Sequence, residues 1–340
     1  MKRRDLLMGA AALPILGRSV IGAAETKNQR PMKMIKPKRL ALGDTVGVIA
    51  PSSGVSAEAF DKALASLAGL GFKTKVGKFA QGSSGFLSGT DKERLHDLHW
   101  AFSDADVDAV WCVRGGSGAP RLLPNVDYPL IKKNPKIFVG FSDITALHLA
   151  INQTTGLVTF HGPVGTSEFS DYTRTHVLNT LTKPTAHYKI GVSENAQAPT
   201  VIVPGKCRGR LTGGNLSLIG ALAGTPYALR DLEGKILFIE DINEPPYKVD
   251  RLLTHLRQST DRKRVAGIAL GTFTNGGPLS DAPSTSLLSV LKDRLGDLGV
   301  PVVYGLSFGH IRDNCTLPLG IEAEVDASNA TITLLETAVK

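Results

Sequence analysis

Apolar and polar positions along this chain follow two alternating rhythms. Val46-Gly47-Val48-Ile49-Ala50 is a short apolar run that breaks at Pro51-Ser52-Ser53-Gly54, as a buried strand does where it enters a turn. From Ala57 to Leu70 the apolar residues recur at helical spacing, Gly71 stops them, and Lys73-Thr74-Lys75-Val76 reads as a second strand. The order continues with a helix over about 92–103, strands at 109–113 and 137–140, and a helix from Asp143 to about Asn152. Such alternation predicts a parallel sheet with helices on both faces.

The rhythm lapses over 166–204, where turn-rich stretches such as Gly165-Thr166-Ser167-Glu168 predict an inter-domain connection. It resumes with a strand over 206–211, Gly213-Gly214-Asn215 leading into a helix, and an apolar strand over 235–239 that ends at Glu240-Asp241. Strands at 266–270 and 302–304 flank a helix over about 284–295, and 323–326 with 331–334 read as a hairpin around Ser328-Asn329. The expected fold class is therefore α/β. An N-terminal parallel-sheet domain (40–165) and a C-terminal α/β domain (205–335) are joined through 166–204, without internal repeats.

The first two dozen residues are of another kind. Lys2-Arg3-Arg4 precede an apolar run over 6–16, and small residues Gly22-Ala23-Ala24 follow, which predicts an export signal of twin-arginine type over 1–24 and a periplasmic destination. Retained, the same run is a membrane anchor; removed, it leaves no stretch near the ~20 apolar residues that span a bilayer. Lys2, Arg3, Arg4 and Arg18 against Asp5 supply +3 of the net +8, leaving +5 for the rest. That charge favours anionic partners such as wall polymers. No basic run interleaved with aromatics points to nucleic acid. Cys112, Cys207 and Cys315 are too few and too scattered for a disulfide framework or a metal knot; Cys112 sits in an apolar strand, and a Cys207–Cys315 bridge stays open.

Four places carry candidate chemistry. In Ile137-Phe138-Val139-Gly140-Phe141-Ser142-Asp143-Ile144-Thr145 an apolar strand passes through glycine and serine directly into a helix. This is the shape of a nucleophile elbow, but taken alone the stretch, which is not GxSxG, reads first as a serine N-cap. Arg114-Gly115-Gly116-Ser117-Gly118 follows another apolar strand and offers backbone amides to a ligand, or is a plain glycine turn; it has neither phosphate-loop spacing. Glu240 heads a carboxylate cluster with Asp241 and Glu244 at a strand's carboxyl edge, where α/β sheets meet ligands, open to a hard cation or to simple solvation. His310 follows a short apolar strand and Gly309; His161, in Thr159-Phe160-His161-Gly162-Pro163, is its rival, and His148 lies on the helix after Ser142.

Arg114-Gly115-Gly116, Gly140-Phe141-Ser142-Asp143-Ile144-Thr145, Gly213-Gly214-Asn215-Leu216, Phe238-Ile239-Glu240-Asp241 with Pro246-Tyr247 and Asp250-Arg251, and Gly309-His310 before Leu317-Pro318-Leu319-Gly320 occur in that order. In combination they resemble the LD-carboxypeptidases, serine peptidases that include the microcin-immunity peptidases, over about 40–335. The resemblance implies a Ser142–His310–Glu240 triad at the domain interface. It also implies oxyanion donors from the N–H groups of Asp143 and Gly116 or Gly115, no metal or organic cofactor, and a peptidoglycan-derived peptide as substrate. Ser117 departs from the aromatic that often follows RGG in the family. The expected reaction is release of terminal D-alanine from murein tetrapeptide. The alternatives are cleavage of a peptide-nucleotide toxin, and an exported peptide-binding protein without turnover. A substrate carboxylate calls for a cation, with Arg114 and Arg312 as candidates; a homodimer is compatible with all of this.

Overall fold

The computed structural model describes residues 32–229, 231–260, 265–277 and 285–340. The export signal expected over 1–24 lies outside the described residues. The first half of the chain runs β1 (Thr45–Ile49), α1 (Ala57–Gly69), β2 (Lys73–Val76), α2 (Asp91–Ser103), β3 (Ala109–Cys112), α3 (Tyr128–Lys133), β4 (Ile137–Gly140), α4 (Thr145–Thr155) and β5 (Thr159–His161). These strands pair in parallel in the order β5-β4-β3-β1-β2. Because both faces are covered, the central strands β3 and β4 are continuous apolar runs in which every residue is buried.

The second half comprises α5 (Asp171–Thr182), β6 (Tyr188–Ile190), β7 (Thr200–Val203), β8 (Lys206–Asn215), α6 (Leu216–Leu222), β9 (Lys235–Ile242), α7 (Pro246–Ser259), β10 (Gly267–Thr274), α8 (Leu287–Leu295), β11 (Val302–Gly309), β12 (Leu317–Leu319), β13 (Glu322–Asp326) and β14 (Thr331–Leu334). Its sheet has the order β6-β14-β13-β8-β9-β10-β11-β7, parallel from β8 to β11 and antiparallel at both flanks. The fold is thus α/β with one mostly parallel and one mixed sheet. Residues 166–204, expected to be only a connection, hold α5 and the edge strands β6 and β7.

β12 ties the two sheets together, because it leaves the second half of the chain to pair antiparallel with β5, Leu317 opposite His161. One contiguous apolar core runs through both halves, and Trp111, Phe138, Phe238 and Phe308 in it are fully buried. No described helix is long and apolar enough to cross a membrane.

Candidate active site

The carboxyl ends of β1, β3, β4, β8, β9 and β11 carry Ser52, Arg114, Ser142, Asn215, Glu240 and His310, which is where open α/β sheets meet their ligands. Ser142 is the sharpest local feature. Its φ is +64°, a left-handed conformation that costs a non-glycine residue about 1–3 kcal/mol and persists only where the surroundings impose it. A 3-10 turn, Ser142–Ile144, leads straight into α4. The turn is so tight that a Cβ on Gly140 would lie 2.8 Å from Ile144 Cγ2. Ser142 does not cap this helix, since no side-chain capping bond exists at either start, and its hydroxyl makes no hydrogen bond among the described residues. The N-cap alternative is thereby excluded, and the residue sits as an elbow nucleophile does.

Gly115 faces Ser142: a Cβ on it would come 2.8 Å from Ser142 Cβ and 3.2 Å from Ser142 Oγ, so only glycine fits there. Among the described residues neither Gly115 nor Gly116 donates its N–H to another backbone group, so both amides are available as donors. A buried network holds their loop. Asp143 Oδ2 accepts from Ser52 Oγ at 2.6 Å and from Ala119 N–H at 2.7 Å, and burial pushes its carboxyl above the usual range. Arg94, on α2, donates to the carbonyls of Pro51 at 2.5 Å and Gly118 at 3.0 Å and pairs with Asp91 at 2.6 Å. Neither Arg94 nor Ser52 was singled out from the sequence. The available signal was an arginine at the i−4 position to Leu98 on the buried face of α2, where an aliphatic residue would be ordinary.

His310 and Glu240 meet across the second sheet. The imidazole Nδ1 and Glu240 Oε2 are 2.6 Å apart, and the glutamate is wholly buried while the histidine side chain remains 15% exposed. Gly309 permits this approach, since a Cβ there would stand 2.9 Å from both Glu240 Cβ and Oε2. The β8–β9 register sets Asn215 opposite Glu240, and its amide donates to Glu240 Oε1 at 3.3 Å and to Asp241 Oδ1 at 2.9 Å. Asn215 N–H also reaches Thr145 Oγ1 of α4 at 3.0 Å, linking the two halves at the site. The link is made by close contact: a Cβ on Gly214 would lie 2.6 Å from Thr145.

Phe141 joins serine to histidine. Its ring centroid is 4.8 Å from that of His310 on one side and 5.9 Å from that of His161 on the other. His161 itself is enclosed by Phe141, Phe238 and Phe308, with both ring nitrogens unpartnered and its pKa driven well below normal by burial. It is a core histidine, and His310 is the one presented to the site. His148 is also fully buried, its Nε2 2.7 Å from the Gly140 carbonyl and its pKa depressed to about 4 by desolvation.

The loop after His310 is pinned by the segment read as a connection. Gly309 N–H donates to Asn314 Oδ1 at 3.0 Å, Asn314 N–H to Thr173 Oγ1 of α5 at 2.9 Å, and Ser193 Oγ to Asp313 Oδ2 at 2.5 Å. Asp241 is occupied by Ser217 and Asn215, and among the described residues no three His, Cys, Asp or Glu side chains converge as a cation site. All three cysteines are free, so Cys207 and Cys315 do not pair.

Comparison with known proteins assigns the chain to a family. The LD-carboxypeptidase N-terminal domain matches residues 46–162, and the LD-carboxypeptidase C-terminal domain matches 208–325. The chain belongs to the LD-carboxypeptidase family. The N-terminal match holds β1 to β5 of the first sheet; the C-terminal match holds β8 to β11 and β13 of the second together with β12, which pairs in the first, while β6, β7 and β14 lie outside both matches. Among LD-carboxypeptidase relatives, a probable murein peptide carboxypeptidase of Bacillus subtilis is 43% identical over 87% of this chain and 93% of its own. The structure of muramoyltetrapeptide carboxypeptidase from Oxalobacter formigenes superposes with a TM-score of 0.74 at 32% identity, covering 85% of this chain and 97% of that one. The microcin C7 self-immunity protein MccF, in complex with glutamyl sulfamoyl guanosine, gives 0.84 at 28% identity over 90% and 99%. This LD-carboxypeptidase is therefore an α/β serine-peptidase-family enzyme, a carboxypeptidase of the murein-peptide group that also includes MccF.

Proposed function

We propose that the chain hydrolyses the L-to-D amide bond before the terminal D-alanine of murein tetrapeptides, with Ser142, His310 and Glu240 as the triad. One observation carries the reading. A serine forced to φ +64° beside the unpaired glycine amides is joined through Phe141 to a histidine whose Nδ1 is bonded to a wholly buried glutamate. Ser142 Oγ attacks the peptide carbonyl while His310 Nε2 takes the hydroxyl proton; the same proton goes to the departing D-alanine amine, leaving an acyl-enzyme. Water, activated by His310, then releases the shortened peptide and restores the serine. Glu240 keeps the proton on Nδ1 and stabilises the imidazolium. The N–H groups of Asp143, Gly115 and Gly116 are the oxyanion donors, each worth about 3 kcal/mol in the transition state.

The names of the relatives support murein peptides as the substrate class, and the basic, apolar N-terminal segment supports action outside the cytoplasm. The test is to incubate the chain lacking 1–24, and its Ser142→Ala variant, with a tetrapeptide ending in D-alanine and to follow free D-alanine by mass spectrometry. Release by the first alone is expected; release by neither sinks the assignment, and tight binding without release selects a binding protein instead. The likeness to MccF favours acyl-sulfamoyl nucleotides as a second reading, selected if they are cleaved and the tetrapeptide is not. A reporter fused to residues 1–24 that stays in the cytoplasm removes the export claim.

A further inference from the structure

An enzyme that removes one terminal residue must recognise that residue's free carboxylate. Resting on the carboxypeptidase reading, we infer that Arg114 is the group that does so. Two arginines border the site. Arg312, two residues beyond His310, is engaged by Glu168, Nε to Oε1 2.5 Å. Arg114 stands immediately before the glycine pair with its side chain exposed, and its guanidinium makes a single hydrogen bond, 3.3 Å to the Gly54 carbonyl. Among the described residues no carboxylate pairs with it.

Arg114 lines a cavity of about 550 Å³ together with Ser53, Ser56, Ser83 and the exposed ring of Phe86. The wall of this cavity is continuous with the nucleophile. Ser53 N–H donates to the Gly115 carbonyl at 3.2 Å, Gly116 packs so closely on Ser53 that a Cβ would meet its Oγ at 2.3 Å, and Gly115 touches Ser142. A terminal residue places its carboxylate only about one residue length, ~3.8 Å, beyond the scissile bond. With the scissile carbonyl at Ser142 and its oxygen toward the glycine amides, the leaving residue extends past Gly116 toward Ser53 and Arg114. A guanidinium grips a carboxylate through two parallel hydrogen bonds, and the serine hydroxyls add neutral donors without a competing charge. The cavity thus takes a residue bearing a free carboxylate, and the arginine makes this site an exopeptidase site.

The test is binding, which does not depend on turnover. In the Ser142→Ala background, calorimetry compares a tetrapeptide ending in a free carboxylate with the same peptide ending in an amide. A charge-assisted contact should favour the acid by roughly 10- to 100-fold. Arg114→Ala should abolish that preference while leaving affinity for the amide unchanged, Arg114→Lys should keep part of it, and Arg312→Ala should keep all of it. The inference is overturned if Arg114→Ala weakens acid and amide alike, if Arg312→Ala is the variant that erases the preference, or if neither peptide binds. Failure of the carboxypeptidase reading shows separately, as absence of D-alanine release by the Ser142 enzyme while the Arg114-dependent acid preference remains.

Discussion

Replacing His148 by glutamine tests whether buried neutral histidines make this enzyme acid-sensitive. His148 is wholly buried on α4, with Nδ1 unpartnered and its pKa depressed to about 4 by desolvation. A group whose folded pKa is depressed contributes fully above its unfolded value, here 6.5, and loses that contribution as pH falls toward the folded value. At pH 5 the unfolded imidazole is almost entirely protonated and the folded one almost entirely neutral, a difference of about 2 kcal/mol. Glutamine keeps a nitrogen donor near the Gly140 carbonyl and does not titrate. Urea unfolding, followed by the fluorescence of buried Trp111, should show the wild type losing about 2 kcal/mol more than His148→Gln between pH 7.5 and 5. Asp143 and Asp241, whose carboxyls burial pushes up, act in the opposite sense, and the comparison at a single residue cancels them. Equal losses in the two proteins would refute the reasoning. His161 and His176 are depressed by the same cause and steepen the wild-type curve in the same direction.

Gly115→Ala should lower kcat/KM by about 100-fold and also lower the melting temperature, because the added methyl overlaps Ser142 and forces a shift that displaces one oxyanion donor; unchanged kinetics would remove Gly115 from the site. Glu240→Gln should keep a partner near His310 but lose the charge that stabilises the imidazolium, lowering kcat by about three orders of magnitude or more at constant fold, as read by steady-state kinetics and circular dichroism. Since all three cysteines are free, a reducing agent should leave the melting temperature unchanged, and a fall on reduction would show that Cys207 or Cys315 is bridged.

The local grammar of the chain was legible from its residues. Apolar runs bounded by glycine and proline located β1, β3, β4 and β9 to β11, and helical spacing located α1, α2 and α4, because burial on a parallel sheet and on a helix face each demand a period that the sequence must display. Ser142, Glu240 and His310 were legible only as members of an ordered set of motifs; taken singly, Ser142 read first as a helix cap. Short or polar elements escaped. β5 and β12 are three residues each, and α5 with β6 lies in a stretch whose polar side chains serve the His310 loop instead of a core.

Periodicity along a chain reports which face of an element is covered, and says nothing of what covers it. The sequence by itself therefore determined an α/β protein of two halves with a serine, a glutamate and a histidine each at the end of a strand. Only the tertiary structure decided that Glu240 and His310, 70 residues apart, meet at 2.6 Å, that His161 is sealed among three phenylalanines, and that Glu168 holds Arg312 while Arg114 pairs with no carboxylate among the described residues. Those outcomes depend on strand register and on β12 crossing back to the first sheet, contacts between residues remote in sequence that no local pattern encodes.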